Sequence, residues 1–303
     1  MDFGKLANIQ NVNFNLPADH ADNLLILPQK QATNPQIFVG CPVWANPDWK
    51  GKIYPQKAKN TEFLYHYSRQ FNCIELNSTH YNLPNPEKVR QWKQISDPNF
   101  RFCPKILQDI SHEKLANNTI YAVNLAKAFF DNLSGLEEKL ALSFMQLPPS
   151  FSPKKASFLI NFLEKMPKNI DFAIEFRHQD WFNDSEKQTV SEVFELMKNL
   201  QIATVITDVA GRRDVLHQRL TCATVAIRFV GNALDSSDYS RIDAWVNRLK
   251  IWLENGLENL YFWVHEPDNL LSPDLANYFI KKMNKILEIK LKEVVFYQND
   301  GLF

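Results

Sequence analysis

Glycine is the residue whose scarcity says most about this sequence. Only eight glycines occur among 303 residues. A doubly wound nucleotide-binding sheet normally carries a glycine-rich phosphate loop directly after its first strand. The corresponding stretch here reads Gly40-Cys41-Pro42-Val43-Trp44. The shortage of glycine therefore disfavours a doubly wound fold.

Cysteine is equally scarce, and its spacing excludes two kinds of site. The four cysteines lie far apart and include no C-x-x-C pair, so we expect neither a zinc site nor a disulfide framework. Three of them fall in or beside apolar, strand-like runs, which predicts buried, reduced thiols in a cytoplasmic protein. The four are Cys41, Cys73, Cys103 and Cys222.

The sequence also lacks an excess of one charge and any long apolar run. Lys+Arg and Asp+Glu both total 34, so no net charge attracts nucleic acid or an anionic membrane. A local basic groove would still allow nucleic-acid binding, which we do not favour. No run reaches membrane-spanning length, and residues 1–5 do not resemble a signal peptide. We expect a cytoplasmic monomer or weak dimer with no membrane contact.

What the sequence does contain is a regular alternation of strands and helices. Residues 1–35 are polar and broken by prolines, which predicts an N-terminal arm, and residues 289–303 form a C-terminal extension. Between them, apolar strand-like runs alternate with helical spacing of apolar residues. The predicted strands are 37–40, 73–77, 101–105, 140–146, the start of 171–181, 203–208, 223–228 and 260–265. The clearest predicted helices are 61–71, 86–95, 156–166, 186–200, 241–253 and 273–287.

Eight strands alternating with helices predict a (β/α)8 TIM-type barrel of the α/β class over residues 36–288. The sixth connection is the weakest, since residues 211–218 offer only a short helix. In such barrels the C-terminal strand ends and the following loops build the site. Polar residues stand at nearly all of those ends, and gathering them at one mouth is costly unless a ligand uses them. They are Glu75, Asn77, Lys105, Gln146, Glu175, Arg177, His178, Asp208, Arg228 and His265.

Glu75 and Glu175 are the candidate general acid and base. Lys105, Arg177 and Arg228 would lower the pKa of both carboxyl groups and bind an anionic group. The alternative is a Glu–Arg network that holds the barrel rim together, and we weigh the two equally.

Histidines are the second set of candidates. His178 and His265 could transfer protons near neutral pH, although a structural hydrogen bond to the following loop is the stronger reading of His178. His112 follows the third strand and could reach the mouth, whereas His80 is expected to face solvent. A divalent metal ion is a further hypothesis, without the support of a closely spaced pair. Its candidate ligands are Glu75, Glu175, Asp208, His178 and His265.

Aromatic residues in the first, second and fifth loops could stack a sugar or base. The alternative, which we prefer for most of them, is a small loop core over the barrel. Gly231 could admit a phosphate group after the seventh strand. The aromatic candidates are Trp44, Trp49, Tyr81 and Trp181.

Four motifs resemble the signatures of a known family. Residues 44–54, 75–81, 146–151 and 175–181 are similar, in this order, to those of the YecE-like proteins of unknown function (DUF72). The resemblance implies a TIM-type barrel and no established reaction. The chain departs from the family pattern in three places. Gly40-Cys41-Pro42-Val43-Trp44 replaces G-x-S-G-W, His80 replaces a phenylalanine, and His265-Glu266 replaces paired asparagines.

The leading functional hypothesis is an enzyme, of hydrolase or isomerase type, that binds a small polar or anionic ligand such as a phosphorylated sugar or nucleotide fragment. Glu75 and Glu175 would supply its acid–base chemistry. Retaining glycoside hydrolysis is disfavoured, because Gln146 and Arg228 stand where the commonest barrel glycosidases carry carboxylates. The alternatives are a metal-dependent phosphoesterase or nuclease and a non-catalytic binding or scaffold protein.

Overall fold

The computed structural model describes residues 4–183 and 187–297. Its strands all pair in parallel, and a continuous ladder joins six of them in the order β1-β8-β7-β6-β5-β4. The other two, β2 and β3, pair with each other. The eight strands are β1 Gln36–Gly40, β2 Cys73–Leu76, β3 Arg101–Pro104, β4 Ser143–Gln146, β5 Phe172–Glu175, β6 Ala203–Asp208, β7 Thr224–Val230 and β8 Asn259–His265.

Individual hydrogen bonds join the two sheets at both junctions. Between β1 and β2, Glu75 N donates to Cys41 O at 3.3 Å. Between β3 and β4, Ala141 N donates to Phe102 O and Ile106 N donates to Phe144 O, both at 2.9 Å. Each strand therefore lies between its neighbours in the chain, which is the strand order of a TIM-type barrel. The predicted fold is confirmed.

Pro104 explains why the β3–β4 junction is not a continuous ladder. The N–H and C=O of one strand residue point to the same neighbouring strand, and those of the next residue point to the other neighbour. Phe102 O and Ile106 N both bond to the β4 side. The peptide nitrogen of Pro104 lies between them on the same side, and proline has no N–H to donate. The ladder is interrupted at that residue.

Helices cover the barrel in seven of its eight connections. Sequence analysis did not single out α4, and it began α7 five residues too late because residues 236–240 show no apolar spacing. The predicted helix from Glu186 starts outside the described residues. The helices are α1 Asn23–Ile26 in the arm, then α2 Phe63–Tyr67, α3 Pro86–Ile95, α4 Thr119–Leu133, α5 Ala156–Lys165, α6 Lys187–Asn199, α7 Ser236–Glu254 and α8 Ser272–Leu287.

The connection between β6 and β7 contains only a short 3-10 helix, Arg213–Val215, and the N-terminal arm packs against it. Gly211 N donates to Gly4 O at 2.9 Å, and Asn23 Nδ2 donates to Gln218 O at 2.7 Å. The guanidinium of Arg213 donates to Phe14 O and Asn15 O, both at 3.1 Å. The arm thereby covers a side of the barrel that lacks its own α-helix.

The strand interiors supply the core, and the four thiols belong to it. All four cysteines are free and buried, as predicted. Residues 289–297 form a loop that packs on the barrel, where Val294 N donates to Asn277 Oδ1 at 2.9 Å. Within the described part of the chain, every helix is too short or too polar to cross a bilayer.

Candidate functional site

The first carboxylate at the barrel mouth is Glu75 of β2, which is fully buried. Arg228 of β7 donates from Nε to both of its oxygens, at 3.0 and 3.1 Å. Asn77 Nδ2 donates to Oε1 at 2.9 Å, and His265 Nε2 lies 2.5 Å from Oε2. The strand ends thus bring together residues from β2, β7 and β8.

The second carboxylate, Glu175 of β5, is also fully buried. Arg177 Nε donates to Oε1 at 2.7 Å, Gln146 Nε2 donates to Oε2 at 2.6 Å, and Thr207 Oγ1 donates to Oε1 at 2.9 Å. Arg228 Nη1 lies 3.7 Å from Oε1. Arg228 therefore stands between the two carboxylates and joins them into one network.

Lys105, which follows β3, has a different environment from the two arginines. Its side chain is almost completely buried, and Nζ donates to the neutral amide oxygen of Gln146 at 2.8 Å. Among the residues that the structure describes, no carboxylate lies within ion-pair distance of Nζ. Burial, reinforced by the nearby Arg228, lowers the pKa of Lys105 to about 7. Burial, with the nearby Asp238, likewise raises the pKa of Glu266 on the cavity wall to about 7, so Lys105 and Glu266 are the two groups near the mouth expected to titrate near neutral pH.

The electrostatics of the two glutamates do not favour their predicted role as acid and base. Burial alone would raise the pKa of each carboxyl group, but the cations outweigh it. Arg228 and His265 hold the pKa of Glu75 far below its ordinary value, and Arg177 and Arg228 lower the pKa of Glu175 to about 2. A group that acidic holds no proton near neutral pH and is a weak base. We therefore expect Glu75 and Glu175 to stay ionised, in contact with the guanidinium groups of Arg228 and Arg177.

A cavity of about 560 Å³ opens above this network. Its size is typical of a small-molecule site. The N-terminal arm forms part of its wall, with Gly4, Lys5 and Leu6 among the lining residues. Sequence analysis missed the arm, Thr207 and Glu266. The polar residues on the cavity floor and wall are Arg177, Thr207, Arg228, His265 and Glu266.

Asp208 does not join the mouth network. Side chains alternate between the two faces of a strand, so that Thr207 contacts Glu175 while Asp208 faces α7. Arg241 Nη2 donates to Asp208 Oδ1 at 2.8 Å, Trp245 Nε1 donates to Oδ2 at 2.7 Å, and Arg213 also pairs with the carboxylate. Asp208, a predicted ligand-binding residue, therefore lies away from the cavity, whereas its neighbour Thr207 lines it.

His178 also makes local contacts. Its Nδ1 accepts from Asp180 N at 3.2 Å, which is the hydrogen bond to the following loop that we preferred for it. The described geometry brings His178 into contact with neither Glu75 nor Glu175.

Three of the four aromatic candidates belong to a loop core rather than to a stacking surface. Trp49 and Trp181 are buried, and their indole N–H groups donate to Asn269 O at 3.1 Å and to Phe151 O at 2.8 Å. The half-buried Trp44 packs edge-on against Trp92 and Phe102. Tyr81 alone of the four is largely exposed, at 64%.

Two histidines lie beside Lys105, one of them unexpectedly. His80 is buried, so the prediction that it faces solvent was wrong. Its Nδ1 lies 2.7 Å from Ile106 O. His112 stands on a π-helical turn, Asp109–Lys114, and its ring centroid lies 5.4 Å from that of His80. π-Helical turns are often found at functional sites.

The loop after β7 does not offer its backbone to a phosphate group. Asn232 N donates to Asp238 Oδ2 and Ala233 N donates to Glu266 Oε2, both at 2.8 Å. The carboxylate of Glu266 also fills the space beside Gly231. Two acidic side chains therefore already accept hydrogen bonds from the backbone N–H groups that a phosphate would need. The prediction that Gly231 admits a phosphate group is wrong.

The predicted metal ligands do not converge. Of the five candidates, only Glu75 and His265 are in contact. Throughout residues 4–183 and 187–297, no three His, Cys, Asp or Glu side chains stand in an arrangement that could hold a metal ion.

Comparisons with known proteins agree with the fold and the motifs. The family model described as "Protein of unknown function DUF72" matches residues 38–294. The chain is 27% identical over 267 residues to the UPF0759 protein YecE of Escherichia coli O157:H7, an alignment that covers 83% of this chain and 94% of that protein. It is 26% identical over 151 residues to the UPF0759 protein YunF of Bacillus subtilis, covering 48% and 52%.

Solved structures of the same family share the fold. A DUF72 family protein from Enterococcus faecalis superimposes with a TM-score of 0.64 at 19% identity, covering 86% of this chain and 100% of that one. One from Thermotoga maritima gives 0.58 at 22% identity, covering 84% and 100%. The chain belongs to the DUF72 family of proteins of unknown function.

Proposed function

We propose that this protein is an enzyme that binds a small anionic ligand at the barrel mouth and exchanges a proton with it through Lys105. The observation that carries the proposal is the charge balance of the network below the cavity, beside which Glu266 on the cavity wall, with a pKa raised to about 7 by burial, carries only a partial negative charge at neutral pH. Two carboxylates, Glu75 and Glu175, pair with two guanidinium groups, Arg177 and Arg228. Lys105 adds a further positive charge, and its Nζ donates to an amide rather than to a carboxylate.

An anion would relieve the cost of burying that extra charge. Removing an ammonium group from water is unfavourable unless a counter-charge accompanies it, and the lowered pKa of Lys105 measures this cost. Arg177 and Arg228 line the cavity, where guanidinium groups suit carboxylate, sulfate and phosphate oxygens. Both are held rigidly by buried carboxylates, so little ordering is needed when a ligand arrives.

The chemistry assigned to Lys105 favours an enzyme over a purely binding protein. Binding an anion needs only permanent charges, and the arginines supply them. A lysine with a pKa of about 7 populates both protonation states near neutral pH, which is the property of a general acid or base. Glu75 and Glu175 act in this scheme as positioning residues for Arg228 and Arg177.

Thermal unfolding at pH 6, where Lys105 is protonated, tests the proposal. Sulfate and inorganic phosphate should raise the Tm of the wild-type chain, because a ligand at 100 times its Kd stabilises the folded state by about 2.7 kcal/mol. Lys105→Met should lose most of that rise. Lys282→Met, which removes one positive charge from an ion pair on α8, is the matched control and should keep it.

The same titration repeated at higher pH tests the proton. Sulfate affinity should fall above pH 7 in the wild-type chain as Lys105 loses its charge, and the fall should be clearly smaller in Lys105→Met, where the ionisation of Glu266 is what remains. A Tm that responds to neither anion, or an equal response from both lysine variants, would refute the proposal.

A further inference from the structure

Glu266, directly after β8, places a buried carboxylate in the wall of the mouth cavity. The residue is only 4% exposed. Its Oε2 accepts a hydrogen bond from Ala233 N at 2.8 Å, whereas Oε1 is buried and has no hydrogen-bond partner within the described residues. Arg241 acts on this carboxylate from a distance, but it pairs with Asp208 and Asp238 instead. Glu266 is therefore a buried acidic group without a counter-charge, which is costly.

The loop after β7 is shaped around this carboxylate. A Cβ atom on Gly231 would lie 2.3 Å from Oε1 and 2.7 Å from Oε2 of Glu266, so only glycine leaves room for the carboxylate there. Ala233 and Leu234 have φ angles of 63° and 59°, a left-handed conformation that is unfavourable for residues with a side chain. Gly231, Ala233 and Glu266 all line the cavity. Local structure thus fixes the carboxylate in the cavity wall.

The charged side chains that line the cavity are separated by sign. Arg177 and Arg228 lie on the floor, and Lys5 is on the arm, which docks on the β6–β7 connection. His265 lines the β8 side, where it is already bonded to Glu75. The loops after β7 and β8 add three carboxylates and no further lysine or arginine, and these are Asp235, Glu266 and Asp268. A cavity with guanidinium groups on one side and carboxylates on another complements a ligand that carries both charges.

We propose that the ligand of the mouth cavity is a zwitterion, with an anionic group on Arg177 and Arg228 and an ammonium group on the carboxylate of Glu266. This inference rests on the proposed function and names the chemical class of its ligand. The ammonium group supplies the counter-charge that Glu266 lacks, and a hydrogen bond between two charged groups is stronger than one between neutral groups.

Two observations favour an ammonium group over a hydroxyl group at this end of the ligand. Asp235 and Asp268 are exposed on the same side of the cavity, and their negative charges attract a cation. Burial, with the nearby Asp238, raises the pKa of Glu266 to about 7. A cation beside the carboxylate offsets that effect and keeps the group ionised, whereas a hydroxyl group adds no charge.

Two matched series of alkanesulfonates test the inference by isothermal titration calorimetry at pH 7. Each series contains an amino, a hydroxy and an unsubstituted compound with the same sulfonate group. The first is taurine, isethionate and ethanesulfonate, and the second has a propane chain in place of the ethane chain. We expect at least one aminated sulfonate to bind the wild-type chain about tenfold more tightly than its unsubstituted counterpart, as a hydrogen bond between charged groups implies. The hydroxy compound should bind like the unsubstituted one.

Glu266→Gln removes the charge but keeps the size of the side chain and an oxygen that accepts from Ala233 N. We expect it to lose the preference for aminated sulfonates and to bind sulfate at least as tightly as the wild-type chain does. Glu254→Gln, which removes a carboxylate from a surface pair with Lys250 on α7, is the matched control and should keep the preference. The Tm of each variant without ligand shows whether it is folded.

The wild-type measurements separate this inference from the proposed function. If the wild-type chain binds sulfate but shows no preference for an aminated sulfonate, or binds the hydroxy compound equally well, the zwitterion is overturned and the proposed function stands. A preference that persists in Glu266→Gln would overturn the contact with Glu266. If the wild-type chain binds neither sulfate nor any sulfonate, both proposals fail.

Discussion

The barrel contains two buried carboxylate–guanidinium networks, and the comparison between them separates structure from function. In the outer network, Asp208 contacts Arg241, Arg213 and the indole of Trp245. It joins β6 to α7 and to the β6–β7 connection. In the mouth network, Glu75 and Glu175 contact Arg228 and Arg177.

The two networks differ in what lies next to them. The outer network packs under α7, and the ring of Phe14 from the arm covers Arg213 and Arg241. The mouth network borders a cavity through Arg177, Arg228 and His265, and Lys105, His80 and His112 lie on its β2–β3 side. Buried ion pairs alone are therefore weak evidence for a site. Ionisable groups with shifted pKa values that line a cavity, as His265 and Glu266 do, are stronger evidence.

The largest expected effect is the loss of stability in Asp208→Asn. The substitution leaves Arg241, whose side chain is fully buried, without its main counter-charge. We expect the free energy of unfolding to fall by about 3–5 kcal/mol, measured by urea denaturation, with unchanged sulfate affinity in the folded protein. Asp243→Asn, in a surface pair with Lys282, should cost less than about 1 kcal/mol. Equal losses from the two variants would remove the distinction between the outer network and an ordinary surface pair.

Glu75→Gln should have a smaller effect on stability and a distinct effect on binding. Arg228 keeps Glu175 at 3.7 Å, so we expect a loss of about 1.5–3 kcal/mol, the range for a hydrogen bond to a charged group. Removing a negative charge from the mouth should also tighten sulfate binding, which calorimetry measures. If Glu75→Gln abolished binding while the chain stayed folded, Glu75 would contact the ligand itself, and the comparison would need revision.

The smallest expected effect is the pH dependence that Lys105 adds to stability. Its pKa is lowered from 10.5 to about 7 in the folded chain, so above pH 7 the unfolded chain binds more protons than the folded one. Stability then rises with pH between the two pKa values, and the cost of burying the charge is fully present below pH 7. We expect a gain of about 1 kcal/mol from pH 7 to pH 8, absent from Lys105→Met. Parallel stability curves for the two chains would show that Lys105 titrates normally.

Much of the fold was predictable because strands and helices impose local periodicity. The sixth strand was predicted over 203–208 and observed over Ala203–Asp208, and the eighth differs by one residue. The β3–β4 junction was weakened by Pro104, a local chemical property visible in the sequence. The start of α7 was missed because its first turn is polar. The side chain of Asp235 caps that turn by accepting a hydrogen bond from Ser237 N.

The candidate site was predictable only in part. The rule that strand ends converge selected Glu75, Lys105, Glu175 and Arg228, which the structure brings together. The same rule also selected Asp208, whose side chain points away from the mouth. A shift of one residue along a strand moves a side chain to the other face, and the rule does not say which face a strand-end residue occupies. No local signal showed that the arm would line the cavity, or that His80 would be buried beside Lys105.

By itself, the sequence determined the order of strands and helices and which polar residues stand at the strand ends. These depend on apolar spacing and on contacts within a few residues of one another. Only the tertiary structure decided which charges are neutralised and which are left in excess. Glu75 and Arg228 lie 153 positions apart, and electrostatic balance depends on distance and burial in space, so it exists only once the barrel has formed.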